Sequence, residues 1–276
     1  MPQLHGDLRK MRATLTSPVE YTLPVGDKEL ALNAQLGKHL TLEYSGAIHC
    51  IACGRKTSKS YNQGYCFPCL QSLAECDICI VKPEKCHFDA GTCRDENWAQ
   101  DHCMQSHYVY LANSSGVKVG ITRGSQIPTR WIDQGASEAL PIARVMNRHM
   151  SGLVEIAMKE YVSDRTDWRK MLKGMPDPVN LGEVRDELFA QTRKTIQAIR
   201  DEYSEEAVEL LEDEAVTAID YPVLAYPAKV TSLNFDKTPL IEATLQGIKG
   251  QYLIFDIGVL NIRKFGGYGV TVKTAR

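Results

Sequence analysis

The chain has 276 residues, 43% hydrophobic and 24% charged, with a net charge of −2. That length accommodates two domains or one elaborate one, and the composition is that of a globular protein. The charge excludes a chain that is basic throughout. No run approaches the roughly 20 apolar residues of a membrane span, so no membrane partner is expected. The start, Met1 to Asp7, lacks the apolar stretch of a signal peptide, which predicts a cytoplasmic protein.

Residues 1–49 read as a β-rich segment. Thr14 to Leu23 and Leu30 to Tyr44 are rich in Thr, Val, Leu and Tyr, broken at Gly26-Asp27 and Gly37-Lys38.

Residues 50–106 hold all nine cysteines. Cys50-x-x-Cys53 and Cys66-x-x-Cys69 form a pair of pairs. Tetrahedral zinc takes four soft ligands at about 2.3 Å, and two such turns supply two each. Gly54 suits the tight knuckle after Cys53, and Pro68-Cys69-Leu70 suits a helix start. A closed four-thiolate site leaves no place for a reacting water, so this zinc is expected to be structural. Cys76, Cys79, Cys86, Cys93 and Cys103 remain. Spacing favours Cys76, Cys79, Cys86 and Cys93 for a second zinc, with Cys103 or one of His87, His102 and His107 as substitute. The expected complement is thus one or two structural Zn²⁺. A segment with so little apolar content takes its folding energy from metal.

From His107 the texture changes. His107–Ala112 and Val117–Thr122 read as strands joined by the turn Asn113-Ser114-Ser115-Gly116. Pro128 opens a short helix that Gly135 can cap. Leu140–Met146 is a third strand. Ser151 is the expected N-cap of an amphipathic helix carrying Leu153, Val154, Ala157, Met158 and Tyr161. This unit spans 107–176, with ten Lys/Arg against six Asp/Glu. Residues 177–218 read as a helical segment, with two helices over 182–216 divided near Tyr203-Ser204. The run Ser204–Thr217, with six acidic residues and no basic one, reads as a solvated helix face. Residues 219–276 return to strands, and the two β-rich ends are expected to pack together.

The order knuckle, hairpin, helix start around Cys50 to Cys69 resembles a treble-clef zinc finger. The order hairpin, helix, strand, helix after His107 resembles the GIY-YIG nuclease core. That resemblance implies roles for four residues: Tyr110 in the first half-motif, Gly120 in the second, Arg130 as the helix arginine and Glu155 as the glutamate that holds Mg²⁺ or Mn²⁺. Lys118 stands where the second motif tyrosine belongs, and Gln134 where a histidine is often found. The implied activity is phosphodiester cleavage in DNA or RNA. Tyr110 and Lys118 would manage the nucleophile and Arg130 the phosphate charge. Apart from that resemblance, Arg123, Arg130, Arg144 and Arg148 are the candidates to meet nucleic-acid phosphates. Taken singly, each residue also has an ordinary explanation: a packed tyrosine, a solvent-facing glutamate, an arginine paired with Asp133 or Glu138.

The wider layout is similar to an uncharacterised bacterial family of unknown function. The shared stretches are Cys66-Phe67-Pro68-Cys69, Gly91-Thr92-Cys93-Arg94, Val109 to Arg123 and Pro128 to Gly135. The expected fold class is therefore α+β, a treble-clef-like zinc segment and a GIY-YIG-like core between β-rich ends. Two other functions compete. One is a non-catalytic zinc-containing RNA- or DNA-binding module that stacks bases on Tyr108, Trp131 and Trp168. The other is a protein-interaction scaffold or zinc-thiolate redox sensor. The oligomeric state is not encoded in any motif.

Overall fold

The computed structural model describes residues 3–275. The N-terminal segment forms β1 (Gln3–Asp7), β2 (Arg12–Thr14), β3 (Glu20–Val25), β4 (Lys28–Ala31) and β5 (His39–His49). The cysteine block contributes β6 (Lys56–Thr57), α1 (Phe67–Ser72) and α2 (Glu96–His102). The middle of the chain forms β7 (His107–Asn113), β8 (Val117–Arg123), α3 (Thr129–Asp133), β9 (Glu138–Val145), α4 (Arg148–Lys159) and α5 (Trp168–Met171). Then come α6 (Leu181–Glu202), β10 (Val208–Leu210), β11 (Thr217–Ala218), β12 (Leu240–Lys249), β13 (Tyr252–Phe255), β14 (Gly258–Asn261) and β15 (Tyr268–Thr274). No helix among the described residues is long and apolar enough to cross a membrane.

The two ends of the chain share one sheet, in the order β1-β15-β5-β12-β13-β14 with β6 on β5. Period-2 patterning makes this work. Leu40 and Leu42 of β5 and Ile241 and Ala243 of β12 are buried on the same side. A smaller sheet, β2-β3-β4, adds Tyr21, Leu23 and Val25 to that core. The stretch Leu30–Tyr44, expected to break at Gly37-Lys38, is two strands that end at Ala31 and resume at His39. A 3₁₀ turn at Asn33–Gln35 interrupts it, with the Asn33 side chain spent on the backbone of Val19 and Tyr21.

The middle sheet runs β10-β9-β7-β8, with β11 also on β9. Its central strand is buried on both faces, which explains why Val109–Ala112 reads as a continuous apolar run instead of an alternation. Tyr110 and Ala112 face the terminal β core. Val109 and Leu111 face a second core built with Met150, Val154 and Met158 of α4 and Leu188 and Ile196 of α6.

Two sequence expectations change here. The cap of α4 is Asn147, whose side chain accepts from the Met150 N–H at 3.0 Å. Ser151 lies inside the first turn and donates to the Arg148 carbonyl. Residues 177–218 hold one 22-residue helix, not two. After Ser204 the chain makes a 3₁₀ turn and then pairs with the middle sheet, Val208 opposite Val145, so the acidic run is not a helix face.

Candidate active cleft and metal centre

The first four cysteines converge. The sulfurs of Cys50, Cys53, Cys66 and Cys69 all lie within 4.8 Å of one another. The Cys53–Cys66 separation is 3.8 Å, the edge expected of a tetrahedron with legs of about 2.3 Å. The local chain explains the convergence. Gly54, at φ +73°, lets the chain reverse after Cys53, and its N–H donates to the Cys50 carbonyl. Cys66 precedes α1, with Pro68 in the first turn. Burial works against a Cys50 thiolate, but the N–H groups of Cys53, Cys66 and Ala52 outweigh it and hold its pKa down at about 6. These residues form a cysteine cluster suited to a zinc ion.

The remaining cysteines divide differently from the division that spacing favoured. Cys76 ends a 3₁₀ turn that continues from α1, and its sulfur meets the Asn62 side-chain amide at 3.9 Å. Asp77 then caps the next turn, in which Cys79 lies. Cys79, Cys86, Cys93 and Cys103 line a separate small cavity together with His87 and Asp77. His102 gives its Nδ1 to the Trp98 carbonyl and stacks on the Trp98 ring. His107 is fully buried with its Nδ1 on the Gln105 carbonyl, and burial pushes its pKa down to about 4.

Beside the cysteine block opens a cleft of about 510 Å³. Lys118 of β8, Arg130 of α3 and Glu155 of α4 all line it, with Arg123 and Arg148. Tyr110 lies beneath it, opposite Gly120 in the β7–β8 register and fully buried. The Tyr110 hydroxyl donates to Gln134 Oε1 at 2.8 Å. Burial raises the Tyr110 pKa, and the Arg130 charge opposes that only in part. Tyr110 therefore stays protonated and positions Gln134. Arg144 does not share the cleft. It pairs with Glu209 across β9 and β10 at 2.7 Å.

Burial and the Arg130 charge lower the Lys118 pKa to about 8. Burial raises the Glu155 pKa, against Lys159, Arg148 and Arg130. Three walls surround these groups. Asn62, Gln63 and Tyr65 come from the knuckle region, Ile80, Val81 and Pro83 from the turn after Cys79, and Lys10 and Arg263 from the terminal β layer. Asp133 in the lining is engaged by Lys10 and Gln251, and Asp164 by Lys159. Among the described residues, Arg123, Arg130, Arg148 and Arg263 have no carboxylate partner. Arg263, half-buried, is disfavoured as a cation first by burial and then by Arg130. Guanidinium groups keep their charge regardless, so the cleft carries more basic than acidic side chains, with Glu75 and Glu155 also in its lining.

Lys10 and Arg263 escaped sequence reasoning. Nothing local marks them, since both reach the cleft only because the chain ends fold back into one sheet. The stacking candidates fare differently from their expected role: Trp131 is a core residue, and Trp168 lies flat on Tyr252 at 5.7 Å. Neither a curated protein nor a solved structure matches the chain. A family model described as a protein of unknown function (DUF2797) matches residues 37–270, and the chain belongs to that family.

Proposed function

We propose that this chain is a zinc-stabilised protein that acts on nucleic acid by cleaving phosphodiester bonds, with a GIY-YIG-like core. One observation carries the reading: Lys118, Arg130 and Glu155, from a hairpin strand, the following helix and the helix after the next strand, line one cleft beside arginines without carboxylate partners. A phosphodiester brings the negative charge those groups need.

The chemistry divides among them by environment. Arg130, with Arg263 beside it, holds the non-bridging phosphate oxygens through planar N–H donors. Lys118, at about 8, is partly neutral in mildly alkaline solution and then accepts a proton from the attacking water. That role suits the position where the family pattern has a tyrosine. Tyr110 stays out of the chemistry and orients Gln134. Glu155 is the carboxylate that would hold Mg²⁺ or Mn²⁺, and it fits: it faces the cleft and, among the described residues, forms no ion pair. When bound, such an ion offsets charge on the phosphate. Zinc at Cys50, Cys53, Cys66 and Cys69 braces the knuckle wall and leaves no position for a reacting water.

The test is cleavage of single- and double-stranded DNA and RNA by purified protein with Mg²⁺ or Mn²⁺. Cleavage should fall by about 100-fold or more in Lys118→Met and Glu155→Ala, and wild-type activity should climb as pH passes through about 8. Wild-type cleavage no faster than Glu155→Ala on every substrate removes the catalytic reading. Salt-sensitive binding without cleavage would leave the non-catalytic module.

A further inference from the structure

Cys79, Cys86, Cys93 and Cys103 come from four separate places. Cys79 lies in the 3₁₀ turn Ile78–Ile80, Cys86 follows the turn Pro83–Lys85, Cys93 precedes α2, and Cys103 ends α2. They nevertheless line one cavity of about 20 Å³, room for a single water-sized occupant. Four separate backbone excursions that deliver thiols to one such space need a reason beyond packing, because the surrounding segment has almost no apolar core. Disulfides do not supply it, since all four cysteines are free.

The other donors near the cavity are already engaged. Asp77 accepts from Arg94 Nε at 2.7 Å and caps the turn through the Cys79 N–H. His87 uses Nδ1 on Thr92 and turns Nε2 toward Asp77. Arg94 also donates to the carbonyls of Leu70 and Leu73 at the end of α1. Asp77, Cys79 and His87 place their donor atoms within 4.8 Å of one another, but the carboxylate and the imidazole are held by this network. Of the four sulfurs, Cys93 alone has a hydrogen-bond contact among the described residues, to the Asp95 carbonyl at 3.5 Å.

We propose that Cys79, Cys86, Cys93 and Cys103 hold a second, closed four-thiolate metal ion of the zinc class, and that this ion fixes one wall of the cleft. The segment between Cys79 and Cys86 is that wall. The Ile80 carbonyl accepts from Arg148 Nη2. Pro83 and Glu84 lie against α4 at Gly152, where an added Cβ would be 2.6 Å from the Glu84 nitrogen. At its other end the Arg148 N–H donates to the Cys103 carbonyl at 2.8 Å. A single ion therefore ties both flanks of Arg148 to one point. The inference holds whether or not the cleft is catalytic.

The experiment is metal content of the full-length chain by plasma mass spectrometry, after loosely bound metal is removed, with circular dichroism as a check of folding. Wild type should carry about two zinc ions per chain, Cys86→Ser and Cys103→Ser about one, and Cys76→Ser still about two. Cobalt substitution adds a spectroscopic reading: thiolate-to-cobalt absorption should drop by about half in Cys103→Ser. Hydrogen exchange over residues 78–86 should quicken in the same variant. About one ion in folded wild type overturns the proposal. So does loss of an ion from Cys76→Ser or His87→Ala while Cys103→Ser keeps both. Should Cys103→Ser not fold, the wild-type, Cys76→Ser and His87→Ala counts still decide it.

Discussion

The Tyr110 phenol occupies the space that a side chain at residue 120 would need: a Cβ built on Gly120 would lie 2.7 Å from the Tyr110 hydroxyl oxygen. The pair face each other in the β7–β8 register, and Gly120 is thereby required. Gly120→Ala should cost about 1–3 kcal/mol, the usual effect of overpacking a tight core. Tyr110→Phe should cost about 0.5–1.5 kcal/mol through the lost hydrogen bond to Gln134. Tyr110→Phe keeps Cζ, 2.8 Å from the added carbon, whereas Tyr110→Leu removes the ring. In the cycle of wild type, Gly120→Ala, Tyr110→Leu and the double variant, the last should therefore be less destabilised than the sum. Denaturant unfolding of the four proteins measures that coupling; strict additivity would mean that the two do not meet.

Two buried ammonium groups, Lys118 and Lys249, both with pKa values lowered to about 8 chiefly by burial, contribute to the pH dependence of stability. Lys118 is only 4% exposed, and its pKa falls from 10.5 to about 8. The unfolded chain then binds more protons than the native one between about pH 8 and the ordinary lysine value. Stability therefore rises with pH across that window and is flat with respect to this group below it. Lys118→Met should unfold at higher denaturant than wild type at pH 7, by up to roughly 3 kcal/mol, and the advantage should shrink toward pH 10. An equal advantage at both pH values contradicts a depressed lysine.

Arg263 and Arg144 make a matched pair of probes. Arg263 lines the cleft without a carboxylate partner among the described residues, whereas Arg144 is paired with Glu209 at an exposed edge. Arg263→Ala should weaken binding of a short single-stranded oligonucleotide and lower the salt slope of log K by about 1. Arg144→Ala should leave both unchanged and move stability by less than about 1 kcal/mol. Fluorescence anisotropy over a salt series reads both; equal effects would dissociate binding from the cleft.

Gly152 tests the wall. Alanine is a better helix former by roughly 0.5–1 kcal/mol, but here its Cβ meets the backbone of Glu84 and the Pro83 ring. Gly152→Ala should destabilise by about 1–3 kcal/mol and speed proteolysis between residues 78 and 86. Gly174→Ala, with open space around the added carbon, is the control and should melt near wild type.

Local chemistry was legible in the sequence and long-range pairing was not. Cys50 to Cys69 converge because two short turns each deliver two sulfurs, a property of spacing alone. The strands around Asn113–Gly116 and the helix carrying Glu155 follow from turn residues and apolar periodicity. The places of Cys76 and Cys103 were harder, because Cys103 joins the lining of the cavity with Cys79, Cys86 and Cys93 only through the fold, while Cys76 lies beside Asn62. The Ser204–Thr217 run looked helical by composition. It became partly strand because β9 offers an edge that Val208 can pair with, which no local signal announces.

The placement of β15 has a consequence for how the molecule comes into being. The strand lies between β1 and β5, with Lys273 opposite Gln3 on one side and Thr41 on the other. Strands made early on the ribosome must wait for one made much later before their ladder closes. Arg263 arrives in the same later stretch, so a chain that stops before Arg263 has an open sheet edge and a cleft short of one of its cations. Such a product is a candidate for pairing with another copy or for degradation, because the β5 edge that β15 covers stays open.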